Sequence, residues 1–142
     1  MYFQWSEAFE IGVRRIDRQH EKLAGLVNAF HEAYVGGGSR ELVFPLLNRL
    51  VRYVEEHFAC EESLMEATWY PELTKQKRAH EALTLKIFAL ADRYEHGDDA
   101  ITDETMNFLR SWLFDHILQV DRKMGEYVQA RGVPPDWSTD GP

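Results

Sequence analysis

The sequence predicts an all-α chain, an antiparallel up-down-up-down four-helix bundle with an N-terminal arm. Three observations carry this. Four stretches of similar length repeat apolar residues at intervals of three and four, short loops marked by glycine or proline separate them, and no stretch alternates apolar and polar residues as a strand would. Loops that short force neighbouring helices to lie side by side in opposite directions.

The 142 residues are expected to form a single domain spanning 1–142, with an arm over 1–16, the bundle over 17–131 and a tail over 132–142. In the arm, Gly12 interrupts any regular pattern, and Trp5 and Phe9 are the expected anchors on the body. The first helix opens at Asp17 as N-cap, carries His20, Leu23, Leu26 or Val27, Phe30 and Tyr34 on one stripe, and stops at Gly36-Gly37-Gly38. The second runs from Ser39 to about Ala67, with Val43, Leu47, Leu50, Val54, Leu64 and Met65 inward. Pro45 leaves two choices, a start near Phe44 or a bend, because proline is at home only in a first turn.

Tyr70-Pro71 marks the next boundary, with Pro71 expected in the first turn of the third helix. Its stripe is Leu73, Gln76, His80, Leu83, Ile87, Leu90 and Tyr94, and Gly97-Asp98-Asp99 closes it. The fourth helix begins near Ile101, where Thr102, Asp103 and Glu104 supply cap and first-turn acid, and ends at Gly132 and Pro134-Pro135. Phe108, Leu109, Trp112, Leu113, His116, Val120, Met124 and Tyr127 form its stripe, and the polar tail is expected to be loosely held.

Composition narrows the function. A net charge of -8 argues against nucleic acid and against anionic lipid, both of which call for a basic surface. No apolar run reaches the roughly 20 residues of a membrane helix. The single cysteine, Cys60, and the lack of a signal-peptide pattern lead to the expectation of a cytoplasmic protein, and a monomer is favoured.

The chemistry lies on the inner stripes. His57 and Glu61 are one helical turn apart and point into the interior, where a carboxylate is costly unless paired or bound to metal. Each of the other helices also sends one histidine inward: His20, His80 and His116. Any one of them could be an ordinary hydrogen-bonded core residue. Together they fall at one level of an up-down bundle, because His20 and His80 come early in their helices and His57 and His116 come late. Asp121 lies five residues after His116, about 140° around an α-helix, a spacing poor for one ion and suited to a bridge between two. Carboxylates with several imidazoles select iron, manganese or zinc over calcium or magnesium.

These residues resemble the hemerythrin family, specifically a single-domain bacteriohemerythrin. The likeness rests on Trp5, Ile16-Asp17-Arg18-Gln19-His20, His57-Phe58-Ala59-Cys60-Glu61-Glu62 with Leu64-Met65, Tyr70-Pro71, and His116 through Asp121. It implies a non-heme pair of iron ions held by histidines and two bridging carboxylates, with O2 bound reversibly for storage, delivery or sensing. Carried over, His20 and His57 hold one iron, His80 and His116 the other, and Glu61 and Asp121 bridge. The apolar lining of the O2 pocket falls on Phe58, Trp112, Leu113, Ile117 and Leu118.

One position departs from the pattern. Gln76 stands where the family has a histidine one turn before His80. Three outcomes follow: weak coordination by the amide oxygen, a water in the gap, or a loosely held second iron. A swing of Glu72 into the site is a further, lesser option. A water or open position is the favoured outcome, giving a weaker or shorter-lived hold on O2. The rival readings are a di-iron oxidase, peroxidase or nitric-oxide-handling protein, and a metal-depleted bundle acting as a binding module. Cys60, Met65 and Met124 read as packing residues, while His31, His96 and the Lys75-Lys77-Arg78 cluster read as solvated surface.

Overall fold

A computed structural model describes residues 3–97 and 103–141. Among them the regular elements are all helical: α1 (Arg14–Val35), α2 (Arg40–Ala67), α3 (Leu73–Glu95), α4 (Asp103–Asp115), a π-turn (His116–Asp121) and α5 (Arg122–Arg131). Short 3-10 turns at Glu7–Phe9 and Pro135–Trp137 flank them. Helical backbone is unbroken from Asp103 to Arg131, so α4, the π-turn and α5 make the fourth rod of an all-α four-helix bundle. No described helix is long and apolar enough to cross a membrane. The Asp98-Asp99 closure and the start and cap expected at Ile101 and Thr102 lie outside the described residues.

Several helix ends differ from expectation. Asp17 is not an N-cap: α1 starts three residues earlier, after Val13. The Asp17 carboxylate instead accepts from Ile11 N at 2.7 Å and Gly12 N at 3.2 Å, tying the incoming arm to the helix. Burial raises the pKa of this carboxyl, against the pull of those backbone N–H groups. α2 starts at Arg40, which puts Pro45 inside the helix in its second turn. Pro71 sits in the turn ahead of α3, two residues before the helix begins.

The arm is well anchored. Asn28 pins Phe3 from both sides, accepting from its N–H and donating to its carbonyl, each at 2.7 Å. Trp5 and Phe9 stack at 5.6 Å and pack on the core. Further along, Gly125 lacks the Cβ that would stand 2.6 Å from the Ile11 carbonyl, so the arm lies directly on α5. Gln129 donates to that carbonyl, and Arg122 donates to the carbonyl of Ala8. The tail is held as well: Val133 and Trp137 pack on the body, and Asp140 pairs with Arg14 at 2.6 Å.

The core comes in two parts. The larger joins Leu23, Phe30, Leu47, Val54, Leu83, Ile87, Leu109 and Ile117 with their neighbours. The smaller joins Ile11, Val13, Ile16, Leu64, Met65, Tyr70, Met124 and Val128. In every rod the inward histidines, with Gln76, Glu61 and Asp121, fall between these two sets or at their edge, while Asn28 lies within the larger set. The bundle therefore has a polar layer sandwiched between apolar ones.

Candidate metal centre

α1 brings His20 to this layer, α2 brings His57 and Glu61, α3 brings Gln76 and His80, and the π-turn brings His116 and Asp121. None is more than 5% exposed, and His20, His57, Glu61 and Asp121 are at 0%. The His20 ring lies 4.7 Å from His57 and 5.9 Å from His116, and His80 lies 5.7 Å from His116. Donor atoms of His20, His57, Glu61, His116 and Asp121 all lie within 4.8 Å of one another, a group that could hold a metal ion.

The π-turn overturns one expectation. On an α-helix, His116 and Asp121 would diverge, and Val120 would face inward. A turn closed between i and i+5 returns Asp121 to the face of His116 instead, with His116 Nε2 2.7 Å from Asp121 Oδ2. Val120 is displaced outward and is 39% exposed. The same Asp121 oxygen lies 2.8 Å from His20 Nε2, which joins the first and last rods. The five-residue spacing thus lets both side chains face one point.

The electrostatics are those of a site short of positive charge. Two carboxylates share a buried layer with four imidazoles. Burial opposes the Glu61 charge, yet His57 and His116 outweigh it and hold the carboxyl well below its ordinary range. Burial also opposes a charged His116, but Asp121 and Glu61 prevail and raise that ring to about 10. Burial lowers His57. In such a layer buried polar atoms should find partners. Six do not: His20 Nδ1, His57 Nε2, Glu61 Oε2, Gln76 Oε1, His80 Nε2 and Asp121 Oδ1 have no hydrogen-bond partner. His57 Nε2 lies 2.5 Å from Glu61 Oε1 without hydrogen-bond geometry. Unsatisfied imidazole nitrogens and carboxylate oxygens from all four rods fit a metal centre.

His80 stands beside the five-residue group. Its ring lies flat on Phe58, 3.8 Å away at 3°, and its Nδ1 donates to Glu62 at 2.9 Å. Gln76 is buried one turn earlier, on the side of the Tyr70 phenol. Burial raises Tyr70 to about 12, with Glu72 adding to the effect. Glu72 itself accepts from Tyr70 and pairs with Lys123 at 2.9 Å, so it is engaged away from the site. The predicted pocket residues divide. Phe58 and Trp112 line a cleft of about 320 Å3 that also reaches Ala79, His80, Ser111 and His116. Leu113 and Ile117 are fully buried in the core, and Leu118 is half-buried.

Two residues of the site lie off the inner stripes, Gln19 and Glu62. Gln19 Oε1 accepts from His57 Nδ1 at 2.8 Å, and Glu62 holds His80. Each is adjacent in sequence to an inward donor, His20 or Glu61, and that adjacency is the signal that could have found them. Cys60 is a free, partly buried packing residue.

Known proteins resemble this chain in sequence and fold. Residues 11–128 match the hemerythrin HHE cation binding domain. A bacteriohemerythrin of Stenotrophomonas maltophilia is 34% identical over 126 residues, covering 89% of this chain and 81% of that protein. One from Methylococcus capsulatus is 30% identical over 127 residues, covering 89% and 96%. The crystal structure of wild-type hemerythrin superposes with a TM-score of 0.82 at 29% identity, covering 88% of this chain and 96% of the other. With the sequence match, the bundle and the buried histidine–carboxylate layer in agreement, this chain belongs to the hemerythrin family.

Proposed function

We propose that the chain is a non-heme di-iron protein that binds O2, for storage, delivery or sensing. The observation that carries this is the set of buried, unpartnered donor atoms drawn from all four rods into one layer. His20 and His57 would hold one iron, His80 and His116 the other, with Glu61 and Asp121 between them. When bound, an iron pair supplies the electrons that O2 takes up and gives back. The protein's part is to orient and to exclude water. Phe58 fixes the plane of His80, Trp112 stacks on His116 at 4.9 Å, and the two apolar clusters close the layer above and below.

Gln76 makes the His80–His116 half poorer by one imidazole. Its Oε1 is buried without a partner, which supports a water or an open position beside the amide. Such a gap shortens the hold on O2 and speeds oxidation by air. The test is iron per chain, followed by absorption spectra of the reduced protein exposed to O2. About two iron ions per chain and an O2-dependent spectrum that reverses under vacuum are expected, and Gln76→His should lengthen the lifetime of that spectrum. An iron-free protein would reject the reading. An unchanged lifetime in the variant would reject the role given to Gln76.

A second reading, an oxidase, peroxidase or nitric-oxide-handling protein, is favoured by one observation: the cleft beside Trp112 reaches His80 and His116. Turnover of peroxide or nitric oxide, with no reversible O2 spectrum, would select it. A metal-depleted binding module is disfavoured, because it would leave Glu61 and Asp121 buried among unsatisfied rings.

A further inference from the structure

Two of the four histidines are braced through Nδ1 by a residue of the preceding helix. The braces are built alike. Gln19, just before His20 on α1, reaches across to His57 on α2 at 2.8 Å. Glu62, just after Glu61 on α2, reaches across to His80 on α3 at 2.9 Å.

They differ in charge, and the charge is on a particular side. The neutral amide serves the His20–His57 half. The carboxylate serves the half where Gln76 replaces an imidazole. A carboxylate that accepts from one ring nitrogen fixes the tautomer and makes the other nitrogen a stronger donor to a metal. That other nitrogen, His80 Nε2, is buried with no protein partner. Phe58, stacked on the ring, leaves His80 little freedom to turn away. Glu62 itself is 27% exposed, so solvent supports its charge while its oxygen faces inward.

We propose that Glu62 is a positioning residue that offsets Gln76: its charged brace on His80 holds metal on the half of the centre that lacks a third imidazole. This rests on the two-iron reading above. The test loads the whole protein with ferrous iron without oxygen, then follows metal per chain and the rate of loss to a chelator. Glu62→Gln should release one of the two ions faster, by about 10- to 100-fold, with the other unchanged. Adding Gln76→His should restore retention to near the starting rate. The metal-free Glu62→Gln protein should melt at the same temperature as its parent.

Three results would overturn the proposal: release at the parent's rate, a double variant as leaky as Glu62→Gln alone, or a lowered melting temperature of the metal-free variant. Should Glu62→Gln fail to fold, Gln19→Glu is the mirror test. A carboxylate under His57 should slow loss from that half, and an unchanged rate would overturn the idea. A parent protein holding fewer than two ions rejects the two-iron reading itself, whereas a two-ion protein indifferent to Glu62 rejects only this inference.

Discussion

His116 shows how much one residue depends on what surrounds it. Alone in a dry core its ring would be neutral. Here burial pushes against the charge, while Asp121 and Glu61 pull its pKa from the ordinary 6.5 up to about 10. A raised histidine contributes stability that is fully present below its unfolded pKa and lost as pH rises through its folded one. Glu61 and His57, both lowered, act on the acid side. The Glu61 contribution fades as pH falls through its depressed folded pKa, and His57 binds a proton more readily once unfolded. The metal-free protein should therefore melt highest near pH 6.5 and lower on both sides, with the alkaline decline spread between about 6.5 and 10. Calorimetry of the chelated protein across this range is the check, and a flat alkaline limb would refute it. Residue identities made the inner donors legible in the sequence, because histidine and acid on an apolar stripe stand out. The adjacency of Gln19 to His20 hints at a place near the site, but that it braces His57 is not legible until two helices are docked.

At the scale of the element, the π-turn is decisive. Periodicity placed Val120 on the inner face and left Asp121 turned away, because it assumed 3.6 residues per turn throughout. One extra residue in the turn reverses both positions and restores the register for Met124 and Val128 beyond it. Val120→Lys should thus cost less than about 0.5 kcal/mol, as surface changes do. Met124→Ala, at a site with 0% exposure, should cost about 2–5 kcal/mol. Urea unfolding of the metal-free variants compares them. A large loss at Val120 would mean that the helix is regular there. Helix starts were misplaced for a related reason. Asp17 has the chemistry of a cap, but its carboxylate serves the N–H groups of Ile11 and Gly12, and no local rule reveals which backbone groups will fold back onto it.

For the whole molecule, the polar layer divides the core, so its six unpartnered atoms are a cost to the metal-free fold. An ion that binds only the folded state removes that cost and stabilises by mass action. Free metal at a hundred times its dissociation constant should add about 2.7 kcal/mol. Melting with iron and then with excess chelator measures this. A melting temperature indifferent to the chelator would mean that the layer holds no metal.

The sequence by itself determined the all-α bundle, the four inward histidines, the two carboxylates and the inward Gln76, because helical spacing and residue chemistry are local properties. Only the tertiary structure decided the rest: that His116 and Asp121 share a face, that Glu62 and Gln19 brace rings on neighbouring helices, that Glu72 is engaged by Lys123, and that the arm and tail are tied down. Each of these depends on distances between segments far apart in the chain, or on one residue of helical register, and neither is set until the helices pack.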